Sequence, residues 1–138
     1  MCIWYKRMTC FWDGIMNSLG NDDRELLGLR DRSIYSLIDI LKSKNCKTTN
    51  LKWQGKVMSD SEIRQNIQHI REYNKNVAPN GYLCSTCDPF LALLSYILNK
   101  VIVFNYCGHK IEFEPINSKP VKYYYRCNTG HFWFHSKK

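Results

Sequence analysis

Near residue 99 the apolar residues of this chain change period, and that change constrains the fold more than any other feature of the sequence. Before it they recur three and four residues apart; after it they alternate or run unbroken. Ile34, Leu37, Ile38 and Leu41 predict a helix beginning after Ser33. Ser59-Asp60-Ser61-Glu62 sets a capping serine three residues ahead of a glutamate, and Ile63, Ile67 and Ile70 share the face that follows, so a helix should end near Tyr73. Asp88-Pro89 supplies a cap and a first-turn proline to a third helix with Leu91, Leu94 and Leu98 on its buried stripe. Gly20 to Asp31 reads as a polar connection. Beyond residue 100, Val101-Ile102-Val103-Phe104 and Ile111-Glu112-Phe113-Glu114 form a hairpin about a Cys107–Lys110 turn. Val121 to Arg126 is a third strand, and another begins at His131. Helices first and strands after predict an α+β fold, with a small antiparallel sheet packed against the helices. The 138 residues contain no repeat, low-complexity tract or linker, so the expectation is one domain spanning 1–138.

Two residues at opposite ends carry the chemistry. Cys10 opens a segment in which Phe11, Ile15, Ser18 and Leu19 fall on one helical stripe, which buries the helix and leaves the sulfur at its N-terminal tip. A thiol there is acidified by the helix's partial positive charge, and a histidine brought from a distant strand can hold its proton as imidazolium. His131 is that histidine, and the pair points to a thiol hydrolase that needs no cofactor or metal. His69, His109 and His135 are read as surface or boundary residues.

Seven cysteines, an odd number, with no secretion leader and no apolar run of membrane length, point to a reducing, cytoplasmic setting without a disulfide framework or membrane partner. The formal charge of +8 comes from 20 Lys and Arg spread along the chain, with short doublets such as Lys6-Arg7 and Lys137-Lys138. Dispersed in this way they read as a solvated surface, which argues against nucleic acid as the main partner.

Three blocks together resemble the OTU (ovarian tumour) family of papain-like cysteine proteases and deubiquitinases. Cys10-Phe11-Trp12 with Asn17-Ser18-Leu19 is similar to the family's nucleophile helix. Gly81 through Phe104 resembles its middle segment of glycine, capped helix and strand. Asn128-Thr129-Gly130-His131-Phe132 resembles the turn and strand that carry the catalytic histidine. The resemblance implies that Cys10 attacks and His131 acts as acid and base, cutting a peptide or isopeptide bond after glycine in ubiquitin or a ubiquitin-like protein. It also implies an oxyanion hole from the backbone of Cys10 and of Met8 or Thr9 in the Arg7–Thr9 loop. Trp12, Trp133 and Asp13 are the expected substrate groove, with Asp13, Asp22 and Asp23 the acids nearest the nucleophile for a basic tail. Two features depart from the family. Arg7-Met8-Thr9 replaces an acidic stretch before the nucleophile, and Trp133 stands two residues after the histidine, where an Asp or Asn usually orients the ring. Asn128 is the remaining orienting candidate, or the pair acts as a dyad. The short lead before Cys10 suggests a minimal, viral-type member acting in a host cytoplasm, with its own polyprotein as a further substrate.

A competing constellation uses other thiols. Cys84-x2-Cys87 lets two sulfurs converge on one ion, and Cys107 or His109 with Cys127 or His131 would complete a tetrahedral zinc set. This alternative predicts a zinc-binding interaction module with an RNA or protein partner.

Overall fold

The computed structural model describes residues 8–128 and 131–138; the expectations placed on Lys6-Arg7, on Arg7 of the oxyanion loop and on the Thr129-Gly130 turn lie outside these residues. In chain order come α1 (Cys10–Ser18), α2 (Asn21–Leu27), α3 (Ile34–Ser43), β1 (Lys52–Trp53), β2 (Lys56–Val57) and α4 (Asp60–Glu72). A 3-10 turn (Lys75–Asn80), α5 (Pro89–Leu98), β3 (Lys100–Tyr106), β4 (His109–Glu114), β5 (Lys119–Asn128) and β6 (His131–Lys137) follow. The capped helices arise as their sequences dictate. Ser59 and Glu62 exchange side-chain and backbone bonds around the first turn of α4, Ser33 accepts from Tyr35 N–H, and Asp88 accepts from Phe90 and Leu91 N–H. Two elements go beyond the sequence reading. The polar stretch after Gly20 contains α2, held by Gly20 N–H donating to the Asp23 carboxylate at 3.0 Å and stopped by Gly28 in a left-handed conformation. The β1–β2 hairpin turns on Gln54-Gly55, both at positive φ, the tight geometry that matches strand twist.

The α+β architecture is as expected, but the sheet is mixed rather than antiparallel. Its order is β2-β1-β4-β3-β5-β6, and β3 and β5 run parallel. β1 already occupies the outer edge of β4, so the chain leaving β4 can add only to the open edge of β3. The β3–β4 hairpin returns the chain to the start of β3, where Lys119 N–H donates to Asn99 carbonyl oxygen at 2.9 Å, so β5 sets out in the direction of β3. α1 and α5 cover one face, with α3 packed against both, over a core that includes Phe11, Trp12, Leu37, Phe90, Ile102, Phe104, Phe113, Tyr125 and Phe132. Burial of the face bearing Phe11, Ile15, Ser18 and Leu19 follows the helical stripe.

A buried lysine and aspartate pair inside the fold. Lys100 Nζ, at the start of β3, donates to Asp23 at 2.7 Å, Asp22 at 3.1 Å and the Tyr123 hydroxyl at 2.8 Å, and Tyr123 in turn donates to Asp23. The cluster ties α2 to the sheet and leaves none of its buried polar atoms unpaired. Among the described residues no helix is long and apolar enough to cross a membrane.

Candidate active site

Cys10 is the first residue of α1. The preceding Thr9 does not cap the helix with its side chain; its hydroxyl donates instead to the Asp13 carboxylate at 2.7 Å. The first N–H groups of α1, that of Cys10 among them, are therefore left without a side-chain cap from Thr9. The helix is fixed from behind by Phe11, Trp12 and Ile15, all fully buried. At Gly14 it comes so close to β6 that an added Cβ would stand 2.9 Å from two carbons of the Phe132 ring. Phe132 faces the core, and the next residue back, His131, opens β6 at the sheet edge.

Cys10 and His131 line one cleft of about 570 Å³, together with Met8, Leu83, Cys84 and Cys127. The two ends of the chain thus meet on a shared opening, without a direct hydrogen bond between sulfur and ring. No carboxylate lines the cleft among the described residues. Its walls are apolar or neutral apart from His131, and Leu83 stands 93 % exposed at the rim.

The other expected site residues fall in different places. Asn128 lines the cleft and is the register partner of His131 across β5–β6, but makes no hydrogen bond to its ring. Trp133 lies beside His131 on the same face of β6, the ring centroids 5.1 Å apart and the planes 33° from parallel. The seat expected for an orienting acid is filled by an indole. Trp12 does not wall the groove: it is fully buried among Phe11, Tyr73, Tyr82 and Phe90, with its indole N–H donating to the Tyr73 hydroxyl at 3.2 Å. The reason is helical geometry, since two residues along a helix point about 200° apart and a neighbour of an outward Cys10 at that spacing must face inward. Asp13 lines a separate cavity with Thr9, Arg32 and Ser33, while Asp22 and Asp23 belong to the Lys100 cluster. Met8 borders the cleft, but its N–H is used on Pro79 carbonyl oxygen at 3.2 Å, so it is not an oxyanion donor here; Thr9 is buried.

The thiols are also distributed unevenly. Cys84 and Cys127 approach to 3.2 Å between sulfurs, and Cys107 lines the same cleft. Cys87 is half-buried, its thiol pushed up to about 11 by burial, with Asn66 and Glu62 as neighbours. His109 is exposed at the β3–β4 turn. Among the described residues no three His, Cys, Asp or Glu side chains converge as metal ligands would.

Tyr82, which the sequence reading left out, and Asp88, which it read only as a helix cap, support the cleft. Tyr82, half-buried on its wall, donates from its hydroxyl to Asp88 Oδ2 at 2.8 Å. Asp88 is fully buried; its other oxygen caps α5, and burial pushes its carboxyl up to about 6. The cap was legible in Asp88-Pro89, but the second oxygen's use on the cleft wall was not. Compared with models of known families, with curated proteins and with solved structures, the chain matches none.

Proposed function

We propose that this protein is a cysteine protease of OTU type that cleaves the bond after glycine in ubiquitin or ubiquitin-like conjugates, with its own polyprotein as a further substrate. The observation that carries the reading is the placement of Cys10, first residue of α1, and His131, first residue of β6, on one cleft. In this scheme the Cys10 thiolate attacks the scissile carbonyl carbon, and the oxyanion that forms is met by the Cys10 N–H at the helix tip. His131 protonates the leaving amine, the acyl group remains on sulfur as a thioester, and the imidazole then takes a proton from the water that releases it. The apolar, carboxylate-free cleft suits a neutral, narrow Gly–Gly segment better than the basic residues of a ubiquitin tail, whose recognition falls to surfaces outside it. Trp133 holds the His131 ring by its face, taking over the positioning that a hydrogen-bonding acid provides in the family.

The test is labelling of the intact protein with ubiquitin bearing a thiol-reactive group at its C-terminus, read by mass spectrometry beside Cys10→Ala and His131→Ala. One adduct on Cys10, absent from Cys10→Ala and strongly slowed in His131→Ala, supports the assignment. Silence toward ubiquitin and its relatives, with Cys10 no faster to alkylate than the exposed Cys46, would overturn it.

A further inference from the structure

Cys84 and Cys127 are separated by 43 positions in sequence, yet their sulfurs lie 3.2 Å apart at the cleft. Cys84 sits on the loop that leaves Gly81 and leads to the cap of α5, and this loop is one wall of the opening. Cys127 lies near the end of β5, paired in register with both Tyr106 and Phe132, so its backbone is fixed from two sides. The loop wall and the strand meet, among the described residues, through this thiol–thiol contact. A disulfide spans ~2.05 Å, so closing one requires about 1 Å of approach, within reach of side-chain rotation on the loop side.

We propose that Cys84 and Cys127 form a reversible disulfide when the protein meets hydrogen peroxide, fastening the Gly81–Cys87 loop to β5 across the cleft. Atoms and electrons balance with the peroxide as sole oxidant. One cysteine, as thiolate, attacks a peroxide oxygen and becomes a sulfenic acid, and the departing oxygen leaves as water. The second sulfur then displaces the sulfenic hydroxyl as another water, forming the S–S bond. The two thiols give up two electrons and two protons, and the peroxide takes both. Burial raises both thiols, and because either sulfur can donate in the contact, either can attack with the other resolving. The competing partner is Cys107, whose N–H donates to Cys127 carbonyl oxygen at 2.8 Å but whose side chain is exposed on a turn. The proposal stands whether or not Cys10 is a nucleophile.

The experiment uses the full chain, reduced, then treated with hydrogen peroxide, with remaining thiols blocked and the protein digested without reductant. The expected product is a Cys84–Cys127 linked peptide, restored to free thiols by a dithiol and absent from Cys84→Ser and from Cys127→Ser. Both variants are checked by circular dichroism to be folded. Hydrogen exchange on the oxidised protein should show slower exchange at the amides of Gly81 to Cys84. Linkage of Cys127 to Cys107 or Cys10, oxidation that leaves Cys84 and Cys127 alkylatable, or a zinc ion held by the pair in the native mass would each overturn the proposal.

Discussion

Gly14 of α1 lies against the ring of Phe132 on β6, with space for a hydrogen atom but not for a methyl group. Because Cys10 lies one helical turn before Gly14 and His131 immediately before Phe132, this contact sets the spacing of the two candidate catalytic groups. Gly14→Ala should push α1 from β6, costing about 1–3 kcal/mol of stability as overpacking. Cys10 labelling by the ubiquitin probe should fall by roughly 10²-fold, the cost typical of small misplacements. Phe132→Leu added to Gly14→Ala makes room and should recover much of the loss; an unchanged labelling rate in Gly14→Ala would show that the contact does not set the site.

Trp133 offers its ring to His131 in place of a carboxylate, and an indole face favours a cationic neighbour by roughly 0.5–2 kcal/mol. Trp133→Ser should therefore slow Cys10 alkylation at neutral pH by a few-fold to about thirtyfold on that scale, whereas Trp133→Phe keeps part of the rate. The decisive readout is the alkylation rate of the two variants side by side. Equal loss in both would mean that the indole only packs.

The Asp88 carboxyl, fully buried, holds its proton up to about 6, above its ordinary 3.8. The folded chain thus binds that proton more tightly than the unfolded chain, and the group favours folding at low pH. Its contribution is complete below the ordinary carboxylate range and is lost as pH rises through about 6, on the order of 3 kcal/mol in all. Urea titrations between pH 4 and pH 7 should show this decline in the parent protein and lack it in Asp88→Asn. Parallel curves for the two proteins would refute the assignment.

Lys100 neutralises Asp23 in the interior, and Asp23 is 1 % exposed. Lys100→Met removes the cation and keeps the volume, stranding the carboxylate, at a cost of about 3–5 kcal/mol. Thermal melting should show a large drop that Lys100→Met/Asp23→Asn partly reverses. Equal melting temperatures for the single and double variants would show that the carboxylate is not what is stranded.

Most of the fold was legible wherever the determinant is local. Ser33, Ser59 and Asp88 announce helix starts because a cap acts within three residues, and the β3–β4 hairpin follows from Cys107-Gly108 between two apolar strands. The parallel β3–β5 pairing was not, because it depends on β1, far earlier in the chain, having taken the outer edge of β4. At the site, the two ends were legible through the helix tip and the strand start. Tyr82 was missed because its importance rests on a bond to an oxygen that the sequence marks only as a cap.

The placement of α1 on β6 also bears on when the protein can act. Helix and strand are separated by almost the entire chain, so a polypeptide emerging from a ribosome displays Cys10 long before the strand that supplies His131 has been made. Until β6 arrives, the face of α1 that carries Phe11 and Gly14 lacks its cover. The cleft that Cys10 and His131 share therefore takes shape only once β6 has been made.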